Sequence, residues 1–312
     1  KIVITEKNFR PDEIETNITA KDINGNIVEY NAPDLKNEKL WSKSESDTWS
    51  ADITFDAEAI YEFSVSYTDI AKNPAKYYKD NEYRDKYGID TFTIAKSAPK
   101  DLKVVKISNN YKNTLNKILN TVSFGYYFYN DEVTITIQAT DDISGVKYID
   151  WEYNKEEGVS EINTAQIKGH IEGDNIKYLD DKDKSVATAE ISLSKEKYDQ
   201  IRGSIKFSVY NNAGLFSSYS DDNRIIIIDS ISPNDGINTD EFVDYSTPIR
   251  TVDSVAYYDG DVKATLKVKE ANFYAEDIKV WINDDQITNL EWNKQSDEDD
   301  TWYADITISG NG

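Results

Sequence analysis

This sequence is poor in histidine and cysteine, two side-chain types on which nucleophilic catalysis and zinc binding commonly depend. The 312 residues include a single histidine, His170, and no cysteine. A Ser–His–Asp mechanism would have to use His170, but no Gly-x-Ser-x-Gly motif accompanies it, and we interpret its Gly-flanked segment as a loop. Without cysteine there is no thiol nucleophile and no cysteine ligand for zinc. The chain is therefore predicted not to be an enzyme.

Carboxylates are the one abundant chemical resource, with 58 Asp and Glu residues. A glycosidase needs two of them roughly 5–10 Å apart across the sugar, but among so many some pair will always satisfy that distance. The segment DINGN at 22–26 has oxygen-rich spacing for calcium, yet an EF-hand loop would need Glu where Pro33 stands. Cation binding near Asp229 and Asp235 is the remaining alternative, and our prediction is no metal site and no cofactor.

The charge balance excludes two large classes of partner. The formal net charge is −23, and its field would repel both nucleic acid and an anionic membrane surface. The longest purely aliphatic run, Ile225–Ile228, is far shorter than the roughly 20 residues that cross a bilayer. We therefore predict no nucleic-acid binding and no membrane insertion, and we interpret the acidity as the solubility of an exposed protein.

The sequence repeats itself at long spacing. Three phrases occur twice: DTWSADITF (47–55) as DTWYADITI (300–308), EKNFRPDEIETNI (6–18) as EANFYAEDIKVWI (270–282), and FYNDEVTITIQA (128–139) as YYDGDVKATLKV (257–268). Repeats at this spacing indicate tandem domains, because the units of a solenoid are shorter.

Two strand-like phrases that end in proline, FTIAKSAP and IIIIDSISP, mark the ends of the repeated units. They divide the chain into module one (1–98), module two (99–232) and module three (233–312). By comparison of the repeats, we expect module one to lack its N-terminal strand or strands and module three to lack its C-terminal strands. Module two is expected to be complete.

The hydrophobic pattern inside the modules has a period of two. VTITIQA (133–139), YEFSVSY (61–67) and GSIKFSVYNNAG (203–214) each alternate apolar and polar residues, as half-buried antiparallel strands require. The DTW phrase alternates as well, which predicts a strand whose tryptophan covers one end of a core. Only 111–122 has helical spacing, and we predict a short helical connection there. The fold class is all-β, built of sandwiches.

Several motifs resemble those of tandem immunoglobulin-like domains from large Gram-positive cell-surface proteins. DISGVKYIDWEY (142–153) is similar to a strand that enters the core after a Ser-Gly turn. SYTDIAKNPA (66–75) is similar to the family's Asp-x-Ala-Gly-Asn turn, and DSISP (229–233) to its linker. Lys72 replaces the glycine of that turn, and NNAGL (211–215) departs from it further. The resemblance implies immunoglobulin-like sandwiches and an extracellular stalk, spacer or adhesin, and some proteins with similar repeats bind host immunoglobulins in a superantigen-like manner.

The candidate binding surface is an unusually long, tyrosine-rich loop at 71–92, between the last two predicted strands of module one. Its proposed binding residues are Tyr77, Tyr78, Tyr83, Arg84 and Tyr87. Tyrosine and arginine at a loop tip give large contact area at modest entropy cost. The alternative is that these tyrosines cover the sandwich edge or pack on a neighbouring module. The helical stretch 111–122 is a second candidate surface.

These observations lead to one expected function and two alternatives. We expect a non-enzymatic, monomeric rod-like segment of a bacterial surface protein that binds a host protein. The resemblance makes immunoglobulin the leading partner. A structural stalk is the first alternative, and an accessory region of a secreted carbohydrate-active enzyme is the second.

Overall fold

The computed structural model describes most of the chain. The described residues are 1–44, 46–75, 91–109, 126–129, 132–155, 167–180, 182–198, 201–235, 241–282, 284–294 and 300–309. None of the helices in these ranges has the length and apolar character needed to cross a membrane. The predicted helix at 111–122 lies outside the described residues.

Module one contains two three-stranded antiparallel sheets. Its strands are β1 (Ile2–Thr5), β2 (Ile14–Lys21), β3 (Ser42–Lys43), β4 (Thr48–Ala51), β5 (Ala59–Tyr67) and β6 (Thr91–Ile94). The strand orders are β1-β4-β3 and β2-β5-β6. Short 3-10 turns cover Pro11–Glu13 and Glu38–Leu40.

The period-two pattern of β5 has the predicted effect. Tyr61 and Tyr67 are buried, and the polar residues between them are exposed. Tyr61 stacks on Phe92 of β6 with ring centroids 5.2 Å apart. Aromatic rings therefore supply much of the core in a module that has no disulfide.

Module two contains the largest of the described sheets, with six strands. Its elements are β7 (Lys100–Asn109), β8 (Tyr126–Tyr129), β9 (Val133–Thr140), β10 (Val146–Lys155), β11 (Lys168–Glu172), β12 (Lys177–Asp180), β13 (Asp183–Leu193), α1 (Lys195–Tyr198), β14 (Ile201–Asn211), β15 (Phe216–Ser220) and β16 (Ile225–Ile228). One sheet has the order β12-β13-β9-β7. The other has the order β11-β10-β14-β16-β8, and β15 also pairs with β14. A 3-10 turn covers Gly173–Asn175.

The core of module two lies between these sheets. Val133, Ile135 and Ile137 of β9 are each 0% exposed, and they belong to one cluster with Phe207 and Val209 of β14. Their alternation with half-buried residues is the one predicted from VTITIQA. The sandwich arrangement follows from burial of one face of each sheet.

Module three repeats part of this plan. Its strands are β17 (Val243–Tyr245), β18 (Arg250–Val252), β19 (Val255–Tyr257), β20 (Val262–Lys269), β21 (Val280–Ile282), β22 (Asp285–Ile287), β23 (Asn293–Lys294) and β24 (Thr301–Ile308). The main sheet has the order β17-β20-β24-β23, and β18–β19 and β21–β22 form separate pairs. A 3-10 turn covers Ala275–Asp277.

The all-β prediction is confirmed, because antiparallel sheets account for most of the structure. No described sheet takes strands from more than one of the three modules, and the division into modules stays a prediction. The DTW phrase is a strand throughout β24, but in module one the strand ends at Ala51. The reason is its partner: Ala51 pairs with Ile2, near the start of β1, whereas Ile308 pairs with Val262 of the longer β20.

Three loops share one turn. In 22–26, 69–73 and 211–215, a side-chain oxygen of the first residue accepts a hydrogen bond from the backbone N–H of the fifth, at 2.8, 2.7 and 2.9 Å. The fourth residue has a positive φ in each, 84° at Gly214 and 69° at Lys72. That conformation favours glycine, so Lys72 is strained where the resemblance predicted a glycine.

We expect Lys72→Gly to raise the free energy of unfolding by about 0.5–1 kcal/mol. Relief of the left-handed strain is worth about 1–2 kcal/mol, and the greater freedom of glycine in the unfolded chain offsets part of it. Gly214→Lys is the matched reverse change, since no atom lies within 4 Å of an added Cβ there, and it should cost a similar amount. Urea unfolding measures both. A loss of stability in Lys72→Gly would contradict the assignment of strain.

Candidate functional site

The binding residues predicted from the sequence all fall in one segment that the structure leaves undescribed. Tyr77, Tyr78, Tyr83, Arg84 and Tyr87 lie within 76–90, outside the described residues. Their role stays a prediction.

The described residues contain a different candidate, on the outer face of the second sheet of module two. In β10 and β14, alternate residues point into the core, and the residues between them point outward. The strands β11, β10, β14 and β15 lie side by side. We call the outward side of these four strands the outer face.

A row of aromatic rings crosses the outer face. The register places Tyr148 of β10 opposite Tyr210 of β14, and Tyr210 opposite Phe216 of β15. Tyr148 and Tyr210 stack with centroids 4.4 Å apart and planes 18° apart, and Tyr210 and Phe216 stack at 4.9 Å and 25°. Phe216 at the end of the row is 55% exposed. These contacts are cross-strand pairs, which stabilise the sheet while leaving ring edges accessible.

His170 extends the row on the other side, and the interpretation of its segment as a loop is wrong. His170 lies in β11 and pairs with Asp150 of β10. The neighbouring Gly169 allows β11 to approach Trp151 closely, because a Cβ added to Gly169 would lie 2.5 Å from the indole nitrogen. Its Nδ1 lies 2.6 Å from Asp150 Oδ1, and its ring centroid lies 5.1 Å from that of Tyr148. The hydrogen bond to Asp150 raises the pKa of His170, as does the one to Glu172.

Polar side chains fill the rest of the outer face. Lys206 Nζ donates to Glu152 Oε1 at 2.9 Å, and Ser208 and Ser218 share a hydrogen bond of 2.7 Å. An open groove of about 540 Å³ lies on the outer face. The side chains that line it include Asp150, Glu152, Lys168, His170, Lys206 and Ser208. The groove shares His170 with the aromatic row, and its charged lining residues are Asp150, Glu152, Lys168 and Lys206.

The sequence carried a signal for this face that was overlooked. Tyr148 and Tyr210 each occupy a polar position of an alternating strand, where a large aromatic ring has no core to pack against. Only the strand register shows that they meet, since β14 follows β10 along the chain by many residues. No group of three His, Cys, Asp or Glu residues in the described ranges is placed to hold a metal ion.

The turn 22–26 lies against module two. Asn24 Nδ2 donates to Asp183 Oδ1 at 2.9 Å, and Asn24 Oδ1 accepts from the backbone N–H of Lys184 at 2.7 Å. The Ile23 N–H donates to the carbonyl of Asp142 at 2.9 Å. Gly145, with φ of 74°, leaves room for the Ile23 side chain, since an added Cβ would lie 2.8 Å from Ile23 Cδ1. The oxygen-rich turn therefore makes contacts between modules.

A second contact joins the DSISP linker to module three. Asn272 Nδ2 donates to Asp229 Oδ2 at 2.7 Å, while the Asn272 N–H donates to Glu270 Oε1 at 2.8 Å. Burial raises the pKa of Glu270 to about 7, and the nearby carboxylates of Asp229 and Asp300 act in the same direction. Lys294 Nζ lies 3.1 Å from Asp300 Oδ1.

This pKa predicts that Glu270 makes module three less stable as the pH rises. The pKa is raised above the value of about 4.5 expected in the unfolded chain, so the folded state binds the proton more tightly. The resulting stability is fully present below about pH 4.5 and is lost as the pH rises through about 7. Glu270→Gln keeps the acceptor oxygen without the charge, so its stability relative to wild type should increase between pH 5 and pH 8.

Urea unfolding between pH 5 and pH 8 measures the difference in free energy of unfolding between Glu270→Gln and wild type. Glu6→Gln, in the equivalent turn of module one, is the matched control variant. Carbon-13 NMR of the Glu270 carboxyl gives its titration directly. A midpoint below pH 5 would show that burial does not hold the proton.

No protein-family model matches the chain, and no curated protein matches its sequence.

Proposed function

We propose that the chain is a non-enzymatic segment of an extracellular bacterial surface protein that binds a host protein through the outer face of module two. The observation that carries this proposal is the stacked row of Tyr148, Tyr210 and Phe216, in which the two tyrosines are half-buried and Phe216 is exposed. Rigid aromatic rings are enriched among the residues that dominate binding energy at protein interfaces. Immunoglobulin is the first partner to test, by the resemblance to immunoglobulin-binding surface proteins.

The electrostatics of the outer face support a protein partner. Asp150, Glu152 and Glu172 lie on the outer face with Lys206, so the face carries both signs of charge, and the raised pKa of His170 favours a further positive charge there. Charges at the rim of an interface chiefly set specificity and association rate, while the rings supply affinity. The net charge of −23 favours a partner whose contact surface is basic.

A structural stalk is the second candidate, and the contacts between modules favour it. Hydrogen bonds across the boundaries between modules restrict the relative motion of the modules, which flexible linkers alone would permit. They join Asn24 to Asp183 and Lys184, and Asn272 to Asp229. A spacer of fixed geometry needs such contacts.

Binding of the full chain to immobilised host immunoglobulin and matrix glycoproteins separates the candidates. The test variant carries Tyr148→Ala, Tyr210→Ala and Phe216→Ala. A matched control carries Tyr245→Ala, Tyr257→Ala and Trp281→Ala, three rings of module three that are 61%, 49% and 56% exposed. We expect wild-type binding with a Kd of about 1 μM, an affinity loss of at least about tenfold in the test variant, and a change under about twofold in the control.

A third variant addresses the loop predicted from the sequence, with Tyr77, Tyr78, Tyr83, Arg84 and Tyr87 all changed to Ala. Loss of binding in this variant alone would keep the adhesin and move its site to the loop. No binding by the wild type to any of these proteins would favour the stalk. Circular dichroism and urea unfolding of each variant establish that it is folded.

A further inference from the structure

Asn24 and Gly25 form an exposed Asn-Gly pair in the turn 22–26. In such a pair the backbone nitrogen of the glycine can attack the side-chain carbonyl carbon of the asparagine, because glycine has no side chain to obstruct the approach. Gly25 has a φ of 85°, and no atom lies within 4 Å of an added Cβ, so its surroundings are open as well. The pair is therefore chemically susceptible to loss of the Asn24 amide.

The reaction is deamidation, and water is its only co-reactant. The Gly25 nitrogen forms a bond to Asn24 Cγ while the bond from Cγ to Nδ2 breaks, and ammonia leaves with the proton that the Gly25 nitrogen gives up. The resulting succinimide ring opens when water adds to one of its carbonyl carbons. Addition at Cγ gives aspartate. Addition at the backbone carbonyl carbon gives isoaspartate, in which the main chain runs through the former side chain.

In the folded chain, hydrogen bonds hold the atoms that react. Asn24 Nδ2 donates to Asp183 Oδ1 at 2.9 Å, and Asn24 Oδ1 accepts from the Lys184 N–H at 2.7 Å. The Gly25 N–H donates to the Asp22 carbonyl at 3.1 Å. Ring closure expels Nδ2 and removes the proton of the Gly25 nitrogen, so the bonds that these two atoms make have to break. Deamidation therefore requires the contact with module two to open.

The contact is strengthened by the charge of its acceptor and by a neighbouring backbone bond. Hydrogen bonds from the Ser185 hydroxyl and N–H lower the pKa of Asp183, and the bond from Asn24 acts in the same direction. Asp183 is therefore a carboxylate at neutral pH, and a hydrogen bond to an ionised acceptor is stronger than one between neutral groups. The Ile23 N–H also donates to the Asp142 carbonyl at 2.9 Å.

We propose that Asn24 is a deamidation site whose reactivity is suppressed by the contact with module two, and that the reaction permanently releases this contact. Both products lack the amide donor, so a carboxylate faces the carboxylate of Asp183 where Nδ2 donated before, and the like charges repel. Isoaspartate also lengthens the backbone of the turn by one carbon atom. Water does not restore the amide, so a fixed joint between modules one and two becomes a loose one.

The rate of deamidation in the full chain tests the suppression. The chain is incubated at mildly alkaline pH, and peptide mapping by mass spectrometry, with an isoaspartyl methyltransferase assay, follows the conversion of Asn24. Asp183→Ala removes the acceptor of the amide, and we expect it to raise the rate at least about fivefold over wild type. Asp174→Ala, at an exposed carboxylate of module two outside this contact, is the matched control and should leave the rate within about twofold.

Two further measurements do not depend on the folding of Asp183→Ala. Gly145→Ala leaves the sequence around Asn24 unchanged and places a Cβ 2.8 Å from Ile23 Cδ1, so the rate should again rise. A synthetic peptide of residues 20–30 reacts without the contact, and wild type should be at least about fivefold slower than the peptide. Deamidation of wild type at the rate of the peptide, or at an unchanged rate in folded Gly145→Ala, would overturn the suppression.

Asn24→Asp tests the release. We expect hydrogen exchange of the Ile23 amide, which is bonded to Asp142 across the contact, to become at least about tenfold faster in this variant. Ile27→Asp adds the same charge to the same turn region at a side chain that is 85% exposed, and it should leave exchange within about twofold. Exchange at Ile23 that is equal in Asn24→Asp and wild type would overturn the release, whatever the rate of deamidation.

Discussion

In modules one and three, the contact on which the repeated unit depends is the hydrogen bond from a tryptophan indole N–H to the carbonyl of the first residue of a Glu-x-Asn-Phe turn, from Trp49 to Glu6 and from Trp302 to Glu270. In module one it joins Trp49 to Glu6, and the ring of Phe9 packs 5.0 Å from that of Trp49. The bond fixes where the chain leaves the first strand and enters the opposite sheet. Because the chain has no disulfide, these half-buried rings, packed on the buried Trp41 and Tyr67, help to hold the two layers together. That explains why the DTW and Glu-x-Asn-Phe phrases are repeated together.

In module three the same turn also contacts the DSISP linker, and this contact has an electrostatic cost. An acidic residue stands after the first strand in every module, at Glu6, Asp141 and Glu270. In module three this residue lies close to the linker carboxylate of Asp229, so covering the turn brings two acids together in a partly buried site. The amide of Asn272 offsets the repulsion by donating to Asp229, and the raised pKa of Glu270 is its remaining consequence. In module two a neutral carbonyl, from Ser97, takes the place of the linker carboxylate.

The sequence predicted well what depends on local pattern. The alternation in β5 and β9 and the strand of the DTW phrase follow from side-chain periodicity, which needs no knowledge of partners. Prediction from the sequence failed for features that depend on which strands pair with each other. His170 is in a strand because Gly169 admits Trp151, and the end of β4 is set by where β1 begins. The aromatic row and the contact of Asn24 with Asp183 require register and module placement that no single segment encodes.

If the outer face binds a partner as proposed, the geometry of the aromatic row restricts the chemical class of that partner. A saccharide stacks on exposed ring faces, but the facing planes of Tyr148, Tyr210 and Phe216 are already stacked on one another. What remains accessible is a line of ring edges and the outer side of Phe216, 55% exposed. The mutual stacking also restricts the rings before any partner arrives, so less side-chain entropy is lost on binding. Pre-ordered rings beside paired charges suit a protein surface better than a sugar, and this argues against a carbohydrate-directed role for the face.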